Sequence, residues 1–332
     1  MTPREVSAGL LVTAIVLAVL LVVSEMTIRI YSHWSPIYDI EMSRYAIEIK
    51  TGSSNPLIGH VHKPNAEASL MGVAVKINSD GFRDREYPIE RGVSRRIIFL
   101  GDSLTFGWGV EKSKTFEEIL EAKLSERAPT EIINFGTGNY NTEQEVNLFL
   151  EKGLKYKPDE VVIFYFINDP EPTPRQSKWE IVGKSRVVTF FWSRLKSGLT
   201  MLGQMPQFHE YYASLYSDRN PGWIAAKKAL LDLRDICKKS GIELRVILLP
   251  ELHLLEDYPF AAEHRKIIAF LRSNGIEARD LAQFFVAEKY PRRLWVAPDD
   301  AHPNEIGHAM IAKYSLDFLM EGVNVYTAVG AN

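Results

Sequence analysis

From about residue 94 onwards, short apolar runs alternate with amphipathic segments, and this alternation constrains the fold more than any other feature. The apolar runs are rich in β-branched and aromatic residues and predict strands at Ile97–Leu100, Ile132–Phe135, Val161–Ile167, Leu244–Leu249 and near residue 276. The intervening segments predict helices at 115–127, 142–155, 224–239, 261–273 and after Pro303. Strands that alternate with helices form a parallel sheet with helices on both faces. We therefore predict an α/β fold, a three-layer sandwich with a mainly parallel central sheet.

Two of the predicted helices have recognisable start signals. Thr142, followed three residues later by Glu145, forms a capping box at the start of one helix. Pro303 suits the first position of the last helix, because its fixed φ matches a helix and its missing N–H is not needed there. We therefore expect His302 to lie on the loop before the last helix.

The amino-terminal segment has a different composition. From Ala8 to Val23 the chain is apolar except for Thr13, with no charged residue between Glu5 and Glu25. At about 1.5 Å per residue this run is slightly short for a hydrocarbon core of about 30 Å, and residues 24–30 can extend it. We predict one uncleaved transmembrane helix. A cleaved signal peptide is the alternative, although no small-x-small cleavage site follows the run.

The flanks of this segment bear on where the chain resides. Arg4 precedes the apolar run and Arg29 follows it, so the charge bias that orients membrane helices is weak. A short tail followed by a large domain favours export of that domain. We predict a single-pass inner-membrane protein whose main domain lies on the periplasmic or extracellular side.

Composition excludes several classes of protein. The 332 residues are 46% hydrophobic and 24% charged, with a net charge of −3. Because there is no basic excess, we expect no nucleic-acid partner. Cys237 is the only cysteine, which excludes an internal disulfide and a cysteine-based metal site. Its position on the apolar face of a predicted helix indicates a packed thiol.

Residues 170–222 interrupt the alternation after the central strand. Three prolines near the start are followed by many aromatic residues, namely Trp179, Phe190, Phe191, Trp192, Phe208, Tyr211, Tyr212 and Tyr216. This insertion has two interpretations. It is either a cap with its own small core, or a functional surface: an aromatic wall for a sugar or acyl chain, or a face that meets a membrane or partner.

The most informative polar residues follow the first predicted strand of the sheet. Gly101-Asp102-Ser103-Leu104 comes directly after the apolar run that ends at Leu100. Glycine permits a sharp turn there, and a serine on such a turn projects its hydroxyl from the edge of the sheet. An ordinary strand-to-helix turn, with Ser103 as a helix cap, is the alternative.

Groups that would support a nucleophilic serine follow other strands. Such a serine needs a base, a group that orients the base, and donors for the developing oxyanion. Asp299 lies three residues before His302, so that its carboxylate can reach back to the imidazole across a tight turn. Asn168 follows the central strand and supplies an amide, and the Gly-rich turn 136–140 supplies backbone N–H groups.

The serine turn at 101–104, the Gly-rich turn at 136–140, Asn168 and the Asp299–His302 pair occur in this order along the chain. Together they resemble the sequence motifs of the SGNH (GDSL) hydrolase family over roughly residues 94 to 320. The resemblance implies a flavodoxin-like fold, with Ser103 as nucleophile, His302 as general base and Asp299 as the acid that orients it. It also implies an oxyanion hole built from the Ser103 N–H, a backbone N–H at Asn139 and the Asn168 side chain. Members of the family use no metal or organic cofactor, so none is expected.

The sequence departs from the family pattern at two positions. Asn139 stands where many relatives have a donor glycine, but asparagine tolerates a left-handed backbone better than other residues do. Its N–H can therefore still point inward, while its side chain either crowds the pocket or adds a donor. Relatives usually have a glycine two residues before the asparagine that matches Asn168. This sequence has Phe166 there, and its larger side chain is expected to narrow the floor of the substrate pocket. Both changes are expected to affect the size of the substrate and the rate of the reaction more than the arrangement of Ser103, His302 and Asp299.

Several other residues have weaker claims to function. Asp300 is expected to be solvated, and His308 is expected to be a helix residue without a role in the site. His60 and His62 have strand spacing, but two ligands rarely make a metal site, so a surface loop is favoured. Arg83 and the neighbouring Asp84 sit on a turn that can support the rim of the site.

The leading functional hypothesis is a membrane-anchored serine esterase that acts on an acyl ester, on an envelope polysaccharide or lipid. An acyltransferase to a polysaccharide hydroxyl would use the same residues. The alternative from another class is a non-catalytic scaffold subunit of an envelope assembly complex, with an envelope protein as partner. A metal-dependent phosphohydrolase is less favoured, because no ligand cluster is evident. The predicted organisation is an anchor at 1–25, a membrane-proximal segment at 26–92, and a hydrolase domain at 93–325 that contains the insertion.

Overall fold

A parallel five-stranded sheet forms the centre of the fold, as predicted. The computed structural model describes residues 2–90, 92, 94–173 and 183–321. Numbered along the chain, the strands of this sheet are β5 Arg95–Gly101, β6 Thr130–Asn134, β7 Glu160–Tyr165, β8 Glu243–Leu248 and β9 Glu277–Asp280. They lie in the order β6-β5-β7-β8-β9, and every neighbouring pair is parallel.

Successive residues of β5 show why helices cover both faces of the sheet. Side chains alternate between the two faces of a strand, and all seven residues of β5 are buried. Ile98 belongs to a core cluster with Val146, Leu230 and Ile267, whereas Phe99 belongs to a second cluster with Phe116, Ile311 and Phe318. The sheet therefore separates two hydrophobic layers, which confirms the predicted three-layer α/β fold.

The helices that supply these layers lie close to the predicted segments. They are α4 Phe116–Ser125, α5 Thr142–Leu148, α8 Pro221–Ser240, α9 Ala261–Ser273 and α11 Glu305–Met320. Shorter helices are α3 Ser103–Phe106, α7 Phe208–Leu215 and α10 Ala282–Phe285. Three antiparallel hairpins accompany them: β1 Lys50–Gly52 with β2 His60–His62, β3 Glu67–Leu70 with β4 Val73–Lys76, and β10 Trp295–Ala297 with β11 Asp300–Pro303.

Two of the predicted helix-start signals differ from the structure. The cap of α5 is Asn141, whose side chain accepts from the Gln144 N–H while the Gln144 side chain accepts from the Asn141 N–H. The capping box thus begins one residue before Thr142. Pro303 ends β11 instead of starting α11, and Asn304 is the cap that precedes Glu305. His302 therefore lies on a strand, not on a loop.

The described residues divide into two compact units. One contains those within 1–48 and 177–206, and the other those within 49–176 and 207–332. The segment 26–92 is thus shared between the two units. Residues 174–182 of the insertion, including Trp179, and residues 322–325 of the predicted hydrolase domain lie outside the described residues.

The first unit consists largely of three helices: α1 Pro3–Trp34, α2 Tyr38–Glu48 and α6 Arg186–Met201. The 32 residues of α1 extend about 48 Å at 1.5 Å per residue, which exceeds a hydrocarbon core of about 30 Å. By length and composition α1 is the one helix among the described residues that can cross a membrane, a property that a signal sequence near an amino terminus shares.

Candidate active site

Ser103 is held at the carboxyl end of β5 by a tight turn into α3. Asp102 caps α3, because its Oδ1 accepts from the Leu104 N–H at 2.8 Å. Gly101 is required by space, since a Cβ there would lie 2.1 Å from Oγ1 of Thr105. The helix ends after one turn at Gly107, whose φ of 78° is left-handed. Ser103 is thus the first residue of a short helix at the edge of the sheet.

His302 lies directly beside Ser103 although the two residues are 199 positions apart. Nε2 of His302 is 2.8 Å from Oγ of Ser103. On the other side of the ring, Nδ1 is 2.5 Å from Oδ1 of Asp300. The structure therefore aligns a hydroxyl, an imidazole and a carboxylate in one hydrogen-bonded chain.

The carboxylate in this chain is Asp300, so the expectation that Asp299 contacts His302 is wrong. Asp300 and His302 both belong to the extended segment β11, and side chains two residues apart in a strand lie on the same side. Asp299 precedes the strand and is exposed. The expectation of a solvated Asp300 is also wrong, since Asp300 is only 2% exposed.

Asp300 is held on both of its oxygens. Its Oδ2 accepts from the indole N–H of Trp108 at 2.8 Å, and its Oδ1 also accepts from the backbone N–H of His302 at 3.1 Å. Burial acts to raise the pKa of Asp300, but His302 and these hydrogen bonds outweigh it and lower the pKa below its ordinary value. The carboxylate is therefore ionised at neutral pH.

An ionised Asp300 determines the protonation of the imidazole. A carboxylate only accepts hydrogen bonds, so Nδ1 of His302 carries the hydrogen and Nε2 of the neutral ring accepts from the Ser103 hydroxyl. Burial acts to lower the pKa of His302, but the Asp300 carboxylate outweighs it and raises the pKa above its ordinary value. The ring is thus a stronger base than a free imidazole and has the tautomer that proton removal from serine requires.

The turn after β6 approaches the same edge. The Thr137 N–H donates to the Gly101 carbonyl at 3.0 Å, which joins this turn to the end of β5. Asn139 has a φ of 63°, the left-handed conformation expected of it. Within the described part of the chain, the backbone N–H groups of Asn139 and Ser103 make no hydrogen bond. Both are available to a bound group.

The Asn168 side chain is hydrogen-bonded to the turn that carries Ser103. Its Nδ2 donates to Oδ2 of Asp102 at 3.3 Å, which uses one of its two hydrogens. Asn168 follows β7, the other neighbour of β5 in the sheet. The structure therefore brings Ser103 and Asn168 to one sheet edge, next to the turn that contains Asn139.

Lys50 is a residue at this edge that sequence reasoning missed. Its Nζ donates to the Gly138 carbonyl at 2.6 Å and to Oδ1 of Asn139 at 2.9 Å. Burial lowers the pKa of Lys50 to about 7. His60, on the strand paired with β1, also contacts the Gly138 carbonyl, at 3.2 Å. The Asn139 side chain thus contacts Lys50, and no local sequence signal marks a lysine that lies 89 residues earlier.

Arg83 supports the loop that follows Ser103. Its guanidinium donates to the carbonyls of Phe106, Gly107 and Val110 at 3.1, 2.5 and 2.7 Å. Arg83 is buried, so these contacts bind the turn after α3 to the segment that precedes the sheet. The turn motif around Arg83 does not reveal these partners, and a role of Arg83 at the rim of the site stays a prediction.

Other titratable residues have structural surroundings. His308 lies in α11, and its Nδ1 accepts from the Phe116 N–H at 3.0 Å. His62 is buried in β2, so the surface-loop interpretation of this pair is wrong. Cys237 is buried, and burial raises the pKa of its thiol to about 12. Among the residues that the structure describes, no cluster of three or more His, Cys, Asp or Glu side chains is arranged to bind a metal ion.

The sequence model of the GDSL-like Lipase/Acylhydrolase family matches residues 99–310, well over half of the chain. The matched range includes every residue of the hydrogen-bonded chain described above. The protein belongs to this family. It is an acylhydrolase, an enzyme that cleaves ester bonds.

Solved structures resemble this acylhydrolase in part. One, from Desulfitobacterium hafniense DCB-2, is a putative lipolytic protein of the G-D-S-L family, with 13% identity, a TM-score of 0.43, and coverage of 68% of this chain and 99% of that one. A lipase/acylhydrolase from Enterococcus faecalis has 15% identity, a TM-score of 0.41, and coverage of 67% and 96%. A two-domain esterase active on acetylated mannans has 17% identity, a TM-score of 0.44, and coverage of 69% and 49%. A search of curated proteins finds no match to the chain.

Proposed function

We propose that this acylhydrolase cleaves esters through a covalent acyl-enzyme, with Ser103 as nucleophile, His302 as general base and Asp300 as the acid that orients the base. The observation that carries the proposal is the position of His302, with Nε2 2.8 Å from the Ser103 hydroxyl and Nδ1 2.5 Å from a buried carboxylate. A base within hydrogen-bond reach of the nucleophile, itself oriented by a third group, is the arrangement that activates a serine.

In the first step, the Ser103 oxygen attacks the ester carbonyl carbon while its proton passes to Nε2 of His302. The carbonyl π electrons move to the oxygen and form a tetrahedral oxyanion. When this intermediate collapses, the bond to the alcohol breaks, and the alcohol leaves with the proton from Nε2. Water then attacks the acyl-enzyme by the same route, which releases the carboxylic acid and restores the Ser103 hydroxyl.

The oxyanion is proposed to accept hydrogen bonds from the N–H groups of Ser103 and Asn139 and from the second hydrogen on Nδ2 of Asn168. Fixed donors at this position stabilise charge that develops only in the transition state. Three features support the assignment: the two N–H groups make no other bond within the described chain, Asn168 is fixed to Asp102, and all three residues follow neighbouring strands.

We further propose that α1 is an uncleaved anchor and that the catalytic domain acts on the periplasmic or extracellular side, on acyl esters of an envelope polysaccharide or lipid. The length and apolar composition of α1 support the anchor. In this proposal, the anchor of residues 1–25 is followed by a membrane-proximal segment to residue 92 and the hydrolase domain to residue 325.

The test is covalent labelling of the full-length protein with a fluorophosphonate probe, which reacts only with an activated serine. Wild-type protein is expected to be labelled, and Ser103→Ala is expected to lose all labelling while retaining its thermal unfolding temperature. Absence of labelling in folded wild-type protein would overturn the assignment of Ser103 as the nucleophile. Chromogenic esters of increasing acyl length, with and without a sugar acceptor, then separate hydrolysis from acyl transfer, because only transfer yields an acylated sugar.

A further inference from the structure

Helix α6, within the aromatic-rich insertion, exposes a continuous apolar stripe. A helix turns by about 100° per residue, so side chains spaced by three or four positions lie on the same side. On α6 and the turn that follows it, six apolar side chains have this spacing. They are Val188, Phe191, Trp192, Leu195, Leu199 and Leu202. Phe191, Trp192 and Leu195 are 62%, 58% and 53% exposed, so no described residue covers the centre of the stripe. A contiguous apolar surface of this kind indicates a contact with something outside the protein.

The charged side chains of the α6 segment itself are all positive. No acidic residue occurs between Gly183 and Glu210, whereas Lys184, Arg186, Arg194 and Lys196 all lie in this range. Two of these cations lie over aromatic rings, Arg194 at 5.0 Å from the Phe190 centroid and Lys196 at 5.9 Å from the Trp192 centroid. An apolar face that contains tryptophan and is bordered by basic residues is typical of helices that lie in a membrane interface.

The start of α6 is bonded to α1 directly after the apolar run of that helix. The Glu25 carboxylate accepts from the N–H groups of Arg186 and Val187, both at 3.1 Å, and from the Ser185 hydroxyl at 2.9 Å. Arg186 in turn donates to Oγ of Ser32 at 2.7 Å. Since Glu25 follows the last residue of the apolar run, Val23, by two positions, these bonds place the start of α6 next to the end of that run.

We infer that α6 lies in the membrane interface, with its apolar stripe among the acyl chains and its basic residues against anionic lipid headgroups. This inference rests on the proposed anchoring by α1, which determines where α6 begins. It assigns the middle of the insertion to the membrane surface. The occupant is a lipid leaflet, because the stripe begins where α1 would leave the bilayer and its surrounding charge complements anionic lipid.

The test places an environment-sensitive fluorophore at single positions of the full-length protein in vesicles of phosphatidylcholine and phosphatidylglycerol. Leu195→Cys carries the dye on the stripe. Ser197→Cys is the matched control, since two helical residues differ by about 200° and Ser197 is exposed on the opposite side. Leu17→Cys reports insertion of α1. The buried native Cys237 contributes background labelling, which the unsubstituted protein measures.

The expected result is blue-shifted emission at Leu195→Cys, quenched by nitroxide-labelled lipid, with water-like emission at Ser197→Cys. Water-like emission at both α6 positions while Leu17→Cys is in lipid would overturn the inference and leave the anchor intact. Blue-shifted but unquenched emission at Leu195→Cys would also overturn it, because a protein partner or second copy then covers the stripe. Quenching at Leu195→Cys together with water-like emission at Leu17→Cys would support the interfacial position of α6 and overturn the anchoring by α1.

The same labelled protein in phosphatidylcholine alone tests the charge assignment. Loss of the anionic lipid is expected to reduce nitroxide quenching at Leu195→Cys and to leave Leu17→Cys unchanged. Equal quenching in both vesicle types would overturn the role given to the basic residues.

Discussion

At the carboxyl edge of the sheet, Ser103, His302 and Asp300 are joined to one another by hydrogen bonds within a single domain, whereas on α6 Phe191, Trp192 and Leu195 are each more than half exposed. The three side chains of the first region bond to one another, whereas the apolar side chains of the second remain largely exposed. Preorganisation of this kind suits chemistry, because oriented groups cost no reorganisation during reaction. An incomplete apolar surface suits attachment, because its burial requires another surface.

The largest expected effect tests which carboxylate belongs to the site. Asp300→Asn is expected to lower kcat/KM for a chromogenic ester by about 10⁴-fold, because the amide no longer holds the active tautomer of His302. Asp299→Asn is the matched control and is expected to retain wild-type activity, since Asp299 is exposed. Steady-state kinetics of the two variants provide the measurement, and a larger loss in Asp299→Asn would restore the sequence-based assignment.

A second prediction compares two phenylalanines. Phe99 is fully buried in β5 and its ring centroid lies 4.7 Å from that of Phe164, whereas Phe191 is exposed on α6. Phe99→Ala is expected to lower the free energy of unfolding by about 3–5 kcal/mol, and Phe191→Ala to change it by less than about 0.5 kcal/mol. Denaturant unfolding of the full-length protein measures both. A large loss in Phe191→Ala would mean that the stripe packs against the protein itself.

Substitution of Lys50 tests how far catalysis depends on the contacts that hold the Asn139 turn in place. Lys50→Met removes the donor to the Gly138 carbonyl and to Asn139, and is expected to lower kcat by about 10- to 100-fold with a small change in KM, because it misplaces one proposed oxyanion donor. Lys50→Arg is expected to recover part of the loss. Lys76→Met, at an exposed lysine of β4, is the control. An unchanged kcat in Lys50→Met would remove Lys50 from the support of the site.

The smallest effect is a shift in pH dependence. A general base must be unprotonated, so kcat/KM falls as the pH drops through the pKa of His302. Because Asp300 raises that pKa, the midpoint of the acid limb is expected above 6.5 in the wild type and at lower pH in Asp300→Asn. Profiles of kcat/KM against pH measure both midpoints, and identical midpoints would show that the Asp300 charge does not act on His302.

Much of the fold was predictable because its signals are local. Buried parallel strands appear as continuous apolar runs, and their helices appear as apolar residues at helical spacing. The turn at Ser103 was equally visible, since Gly101 and Asp102 act within a few positions of it. The conformation of Asn139 was also predictable, because the preference for a positive φ belongs to the residue itself.

The parts that escaped prediction depend on contacts between distant segments or on strand geometry. Asp299 and Asp300 are both aspartates close to His302 in sequence. Only the extended conformation of β11 places Asp300, and not Asp299, beside the imidazole. Lys50 reaches the Asn139 turn because the β1–β2 hairpin packs there, and no motif anticipates that contact. The catalytic roles of Ser103, Asn139 and Asn168 stay predictions that the labelling and kinetic experiments test.

The order of the amino acids is enough to predict the parallel α/β architecture, the serine turn and the apolar character of α1, because each follows from residues that are neighbours along the chain. Folding is what brings Asp300 to His302, Lys50 to the Asn139 turn, and Glu25 to the start of α6. Each of these pairings joins groups whose distance depends on strand geometry or on the packing of whole elements, and these are properties of the folded domain.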